Sequence, residues 1–166
     1  ELVRGGVLKI LGDGTVEGHT ACMLEPYSDM PESCGLPPFS DEQWQQLVTE
    51  ADAAGVDVHI HALGDRTARS ALDAIEAAIR TNPDRDRRHT IAHLQFVDDA
   101  DLARFGQLGV IAQFSANWFA ADPATIGTTT LRCGSDRLQK IYRLKEIMGS
   151  GGMITFGSGW PTAGWV

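Results

Sequence analysis

The sequence contains no long apolar run and little positive charge. Its longest uninterrupted hydrophobic stretches are only a few residues, whereas a membrane-spanning helix needs about 20 predominantly apolar residues. Lysine and arginine total 14 against 22 acidic residues, for a net charge of −8. Because a nucleic-acid-binding surface usually carries a basic excess, this composition argues against a nucleic-acid partner as well as a membrane span.

Cysteine is also scarce. Cys22, Cys34 and Cys133 form no CxxC pair, and their odd number excludes a complete disulfide framework. A Cys22–Cys34 bridge remains open, but a reduced, cytoplasmic setting is the simplest expectation. The basic residues cluster only within residues 80–88, where they alternate with aspartates. That mixed pattern predicts a solvated loop.

Strand-like and helix-like segments alternate along the chain. The helical segments are bounded by caps, such as Ser40 with Gln43 at one start and Gly55 at the following stop. Five β-rich runs lie at residues 7–11, 56–61, 89–94, 110–114 and 153–156. Helices are predicted at residues 40–54, 67–80, 98–108 and 137–148.

This alternation predicts an α/β fold with parallel strands, either an open doubly wound sheet or part of a (β/α)8 barrel. No glycine-rich phosphate loop follows the first strand, and the polar residues of interest lie late in strands, which favours the barrel. A complete barrel takes about 250 residues. We therefore expect residues 1–166 to be a single fragment of a barrel domain. Its open edges would be covered by the remaining barrel half or by a second copy.

The connection at residues 12–39 is long for a loop between a strand and a helix. It contains several glycines and the prolines Pro26, Pro31, Pro37 and Pro38. Such loops are often functional. Two interpretations remain open at this point, a substrate-facing flap and a surface decoration.

Histidines close two consecutive predicted strands. His61 ends the second strand and His93 ends the third, so both imidazoles are expected at the same end of the sheet, close enough to share a metal ion. Each alone would more often be a buried structural histidine. His59 and His89 lie deeper in the same strands, and we interpret both as structural.

Lys9 lies between apolar residues in the first strand. Burial would lower its pKa, and a neutral amine can react with carbon dioxide to give a carbamate that binds metal. A metal hydrolase also needs a carboxylate as base. The turn after the last strand, Phe156 to Pro161, has none.

Together these segments resemble the amidohydrolase superfamily, specifically the YtcJ-like group (amidohydrolase family 3), which includes N-substituted formamide deformylases. The matching motifs cover nearly the whole chain. They are Leu8-Lys9-Ile10 with Asp13-Gly14, Thr20-Ala21 with Leu24-Glu25-Pro26-Tyr27, His61-Ala62-Leu63-Gly64-Asp65, Ile91-Ala92-His93-Leu94-Gln95 and Gly157-Ser158-Gly159-Trp160-Pro161.

The resemblance implies barrel strands four to eight, with Lys9, His61 and His93 as metal ligands, Lys9 as a carbamate. The divalent metal would be zinc. Gly159 occupies the position where the family has a catalytic aspartate, and the strand-one histidines are not in this chain. The implied activity is hydrolysis of an amide or other C–N bond in a small-molecule substrate, with this fragment inactive by itself. The alternatives are a non-catalytic pseudoenzyme and a half-barrel interaction module.

Overall fold

A computed structural model describes residues 5–119 and 123–159. The chain runs β1 (Val7–Leu11), α1 (Asp41–Ala53), β2 (Asp57–Ala62), α2 (Asp65–Thr81), β3 (Thr90–His93), α3 (Leu102–Leu108), β4 (Ile111–Phe114), a 3-10 turn (Ala116–Phe119), α4 (Pro123–Leu138), α5 (Leu144–Gly149) and β5 (Met153–Phe156). The five strands form one parallel sheet in sequence order. This is the predicted partial barrel, and no helix in the described residues is long and apolar enough to cross a membrane.

The sheet has one face covered by helices and one open face. Ile10, Ile60, Ile91 and Ala112 align in register across four strands and are all buried. Helix α2 covers them with an apolar side rich in alanine, leucine and isoleucine. The opposite face, which would line the barrel interior, carries the polar residues of the site.

Most helix boundaries agree with the predictions. Helix α1 has the predicted capping box between Ser40 and Gln43, and Gly55 follows it with φ of 74°. Helix α3 starts later than predicted, at Leu102, because residues 99–101 form turns. Gly109 ends it in the left-handed region.

The predicted helix over residues 137–148 is wrong. The chain instead forms α4, which has a non-helical residue at Gly134, and a separate short α5. Between them Ile141 forms an antiparallel bridge with Phe96, and the Tyr142 amide donates to the Gln95 carbonyl at 3.0 Å. This long-range pairing interrupts the helix, and local periodicity carries no trace of it.

The β1–α1 loop (residues 12–39) has a small core of its own. Val16, Met23 and Tyr27 are almost fully buried, and they pack with Leu63 and Cys133. Arg137 binds the carbonyls of this loop from α4. The loop is therefore a packed cap on the carboxyl end of the sheet rather than a loose decoration. The three cysteines are free thiols.

The basic segment at residues 80–88 is not simply a solvated loop, which corrects the prediction. Arg85 and Arg87 side chains are only 22% and 10% exposed, and both bind the fully buried Asp52 carboxylate. Asn82 and His89 bind the same carboxylate at 2.9 and 3.2 Å. Arg80 and Arg88 do behave as predicted, with 68% and 73% of their side chains exposed. These contacts lie at the amino end of the strands.

Candidate metal centre

Strand β2 places His61 on the open face of the sheet. Its residues alternate between half-buried and buried, so that His59 and His61 share one face while Val58, Ile60 and Ala62 pack against the helices. His61 lies near the carboxyl end of the strand. In barrel enzymes, this is the end that carries the active site.

The backbone at His93 departs from the strand conformation. In register, His93 pairs with Ala62, which is buried on the helix side. Regular alternation would therefore turn His93 away from His61. However, His93 has φ of 78° and Leu94 has φ of 49°, a conformation that costs a non-glycine residue about 1–3 kcal/mol. The strained turn brings the His93 ring onto the open face.

The two imidazole rings meet there. Their centroids are 4.6 Å apart at an interplanar angle of 62°. Trp118 stacks on the other side of His93 at 4.6 Å and 13°, and the Ser115 hydroxyl lies 3.2 Å from its Nδ1. Burial and the neighbouring charges lower the pKa of His93 to about 4. The ring is therefore neutral near pH 7, as a metal ligand must be.

The β1–α1 loop holds His61 in place. Its Nε2 lies 3.2 Å from the Gly14 carbonyl oxygen and 3.7 Å from the Asp13 carboxylate. Asp13 in turn accepts hydrogen bonds from the amides of Leu63 and Gly64 and, at 2.8 Å, from the Thr67 hydroxyl. Burial raises the pKa of Asp13, although these hydrogen bonds oppose the shift.

Asp13 is the residue whose role sequence reasoning missed. It appeared there only as part of the Asp13-Gly14 motif. Its side chain is fully buried and connects β1, the loop and the start of α2. An aspartate directly after an apolar strand was the available clue, but its partners lie up to 54 residues away.

Lys9 lies on the same open face, one layer below His61. It pairs in register with His59. Lys9 is exposed in this chain rather than buried as expected from its apolar neighbours, but partial desolvation still lowers its pKa. Its charge also contributes to the lowered pKa values of His59 and His93, after burial as the main cause. His59 contacts Gln113 Oε1 at 2.9 Å, and His89 is buried beneath the sheet with its Nδ1 accepting from the Val58 amide. Both contacts fit the structural roles predicted for these histidines.

Gly159 lies just beyond β5 with φ of 70°. It supplies no side-chain ligand at the position where an aspartate was expected. Trp160 and Pro161, the end of the same motif, lie outside the described residues.

The residues present fit part of a metal centre. One nitrogen of each ring, His61 Nε2 and His93 Nδ1, lies against a protein oxygen, as is usual for histidine ligands. Lys9 is the third predicted ligand on this face. In the described residues, however, no group of three histidine, cysteine, aspartate or glutamate side chains converges. A complete coordination shell needs donors in addition to the two imidazoles.

A cavity of about 330 Å³ opens beside the histidine pair. Trp118, which stacks on His93, forms part of its wall. The other lining residues come from the β1–α1 loop, the ends of β2 and β3 and the segment after β4. They are Thr15, Glu17, Leu63, Gln95, Asn117, Thr125 and Tyr142. The size suits a small organic group.

The parallel sheet, with its histidine pair at the carboxyl ends of the strands, is arranged as in a TIM barrel, whose active sites lie at that end. The comparison with protein families agrees: the model of the amidohydrolase family matches residues 1–164, and the chain belongs to that family. This confirms the resemblance drawn from the motifs.

Individual relatives are consistent with this membership. The chain is 32% identical over 163 residues to "Protein LONG AFTER FAR-RED 3" of Arabidopsis thaliana and 30% identical over 161 residues to "Putative amidohydrolase YtcJ" of Bacillus subtilis (strain 168). These matches cover 98% and 96% of this chain but only 27% and 29% of the relatives. The chain thus spans less than a third of each relative.

Solved structures give the same fold. An uncharacterized metal-dependent hydrolase from Pyrococcus furiosus superposes with a TM-score of 0.78 at 28% identity, covering 94% of this chain and 31% of that one. A metal-dependent hydrolase from Pyrococcus horikoshii OT3 gives 0.74 at 27% identity, covering 94% and 30%. The ochratoxinase of A. niger, at 16% identity and a TM-score of 0.57, shares the fold.

Proposed function

We propose that this chain is the part of a metal-dependent hydrolase that supplies barrel strands four to eight, and that the whole protein cleaves amide or other C–N bonds. The observation that carries the proposal is the His61–His93 pair, with ring centroids 4.6 Å apart at the carboxyl end of the sheet. The strained backbone at His93 supports it, because such strain concentrates at functional sites.

His61 and His93 would hold the divalent metal, which we propose to be zinc. When bound, such a metal polarises a carbonyl and lowers the pKa of an attacking water to near 7. The chain's own contribution is orientation: Gly14 and Asp13 hold His61, while Ser115 and Trp118 hold His93. Because both imidazole rings are held in place, no conformational entropy has to be lost to orient them for the metal in each catalytic cycle.

Lys9 would provide an anionic ligand after carbamylation. Its lowered pKa increases the neutral fraction of the amine. The ammonium first loses one proton to solvent. The amine nitrogen then forms a bond to the carbon of carbon dioxide as one C–O π bond breaks onto oxygen, and loses a second proton to solvent, which leaves a carbamate. The change replaces a positive charge beside His59 and His93 with a negative one, and so favours cation binding.

The remaining half of the barrel would complete the site. The outer strands expose large apolar side chains: Val7 and Leu11 on β1 are 63% and 65% exposed, and Met153 and Phe156 on β5 are 61% and 59% exposed. Edge strands that expose apolar side chains associate with other polypeptide segments. We propose that the rest of the polypeptide covers them, with a second copy as the alternative, and that this fragment is inactive by itself. The free thiols fit the cytoplasmic setting proposed from the sequence.

Gly159 favours a second candidate, a pseudoenzyme that keeps the scaffold without the chemistry. A general base contributes about 10²–10⁴-fold to such reactions, and glycine offers none. The two candidates differ in turnover rather than in fold. A protein with bound metal but no turnover would fit the pseudoenzyme.

The test uses the complete protein that carries this sequence, purified with zinc and assayed on a panel of N-formyl and N-acyl amines, formamides included. We expect stoichiometric zinc and measurable hydrolysis. Both should be lost in His61→Ala and His93→Ala, with turnover lower by about 10³-fold or more, since a catalytic metal contributes several kcal/mol. His59→Gln, on the same face, is the control and should keep its zinc. Unchanged zinc in both alanine variants would refute the assignment.

A further inference from the structure

The cavity beside the histidine pair carries charge of one sign. Within the described residues, its lining contains one formally charged side chain, Glu17, and no lysine or arginine. The remaining polar groups are amides and hydroxyls, which suit either charge or none. Among the described side chains that line the cavity, a ligand therefore meets one negative charge and no positive one.

A tight turn holds Glu17 at the rim. The Thr15 carbonyl accepts from the amides of Thr20 and Ala21 at 3.0 Å, and the Thr15 hydroxyl accepts from Gly18. Val16, the residue before Glu17, is fully buried in the loop core. The backbone on both sides of Glu17 is thereby fixed, which places this exposed residue at the edge of the cavity.

Glu17 differs from the paired carboxylates of the described residues. In the described part of the chain, no lysine, arginine or histidine lies within salt-bridge distance of it, whereas Asp13, Asp29 and Asp52 all have such a neighbour. Its charge acts instead on Tyr142, a cavity residue whose pKa burial and this carboxylate together raise to about 12. A carboxylate that faces a cavity unpaired is available to a ligand.

The walls are suited to a flat or apolar cation. Trp118 and Tyr142 present aromatic rings, and Leu63 is an apolar neighbour. Aromatic faces attract cations through their quadrupole and also pack against apolar groups. A carboxylate-bearing ligand would face Glu17 with no positive partner.

We propose that Glu17 is a specificity-determining residue, and that the cavity selects substrates whose group beyond the scissile bond carries an ammonium or similar cation on an apolar body. The interpretation of this preference as substrate selection rests on the proposed hydrolase function. The binding preference itself can be measured without turnover. Ligands with a carboxylate in that place are disfavoured.

The test is a titration of the complete protein with three ligands of matched size, benzylamine as the cation, benzyl alcohol as the neutral form and benzoate as the anion. Binding is followed by fluorine NMR of 5-fluorotryptophan at Trp118, assigned with Trp118→Phe. We expect benzylamine to bind about three- to tenfold more tightly than benzyl alcohol, and benzoate, which a bound zinc ion would also attract, to bind more weakly to the wild type than to Glu17→Gln. The preference should shrink as salt is added.

Glu17→Gln should equalise benzylamine and benzyl alcohol while leaving the alcohol unchanged. Glu32→Gln, a loop glutamate that does not line the cavity, is the matched control and should keep the wild-type order. Equal affinities in the wild type, or a preference that survives Glu17→Gln, would overturn the proposal. A charge preference in a protein that hydrolyses nothing would refute the proposed function and leave the binding inference standing.

Discussion

Two buried aspartates, one at each end of the sheet, are stabilised in different ways. Asp52, at the amino end, is surrounded by Arg85 and Arg87, with Asn82 and His89 completing its contacts. Burial alone would raise the pKa of Asp52, but these hydrogen bonds and charges lower it. Asp13, at the carboxyl end, has no arginine or lysine within salt-bridge distance in the described residues, and its pKa is raised.

The difference separates stability from function. The amino end uses full-charge pairs, which hold α1 and the segment before β3 together. At the carboxyl end, Asp13 is held by neutral donors, His93 keeps a strained conformation and a cavity of about 330 Å³ lies beside the histidine pair. In barrels, the first arrangement is typical of the stability face and the second of the catalytic face.

The largest expected effect lies at the carboxyl end. In the complete protein, Gly159→Asp should raise hydrolysis of N-formyl or N-acyl amines by about 10²–10⁴-fold, because it adds the missing base and oxygen ligand. Aspartate tolerates the φ of 70° better than most residues, at a small cost in stability. Initial rates with zinc, for both forms, provide the measurement. Gly159→Asn, similar in shape but without a carboxylate, should give little gain; equal rates for all three would show that Gly159 is not the missing position.

At the amino end, Asp52→Asn should lower the free energy of unfolding by about 2–4 kcal/mol, because it leaves two arginines without their carboxylate. Since the folded-state pKa is lowered, this contribution is fully present above the unfolded-state pKa of about 3.9 and is lost as pH falls further. Urea unfolding measured between pH 7 and 3 should show that the free energy of unfolding falls less with decreasing pH in Asp52→Asn than in the wild type. Asp84→Asn, an exposed neighbour of Arg87, should change stability by less than about 0.5 kcal/mol. Equal losses in the two variants would contradict the network.

The third prediction concerns Asp13. Asp13→Asn should weaken zinc affinity by about 10–100-fold, since it replaces one of the two acceptor oxygens by an NH2 group that cannot accept from the surrounding donors. Competition with a chromophoric chelator gives the affinity. Asp65→Asn alters a half-buried carboxylate that accepts from the Leu24 amide of the same loop, and should leave zinc binding near the wild-type value. Equal losses of zinc affinity in Asp13→Asn and Asp65→Asn would mean that Asp13 affects zinc binding only through the stability of the fold.

The smallest effect is expected at Ser115. Ser115→Ala removes the contact to His93 Nδ1, and zinc affinity should fall about tenfold. The His93 imidazole resonances in NMR should broaden or shift as its orientation loosens. Ser115→Thr keeps the hydroxyl and should retain most of the affinity. If Ser115→Ala binds zinc as tightly as the wild type, Ser115 does not position His93 for metal binding.

Features that depend on neighbouring residues could be predicted from the sequence, whereas features that depend on long-range contacts could not. The strand–helix order and the cap at Ser40 follow from nearby residues, and so were predictable. The break at Ile141 depends on Phe96, and the contacts of Arg85 and Arg87 depend on Asp52, more than 30 residues earlier. The turn at His93 could not be predicted for a different reason. The register of β3 would point His93 toward the helix side of the sheet, and its positive φ turns the ring onto the open face instead.

We propose that His61 and His93 are ligands of one metal ion. A crystal structure of the zinc-loaded complete protein, with anomalous diffraction recorded on both sides of the zinc edge, would locate that ion. We expect an anomalous peak about 2.0–2.1 Å from one nitrogen of each imidazole. A zinc peak elsewhere in the barrel, with both imidazoles outside coordination distance, would contradict it.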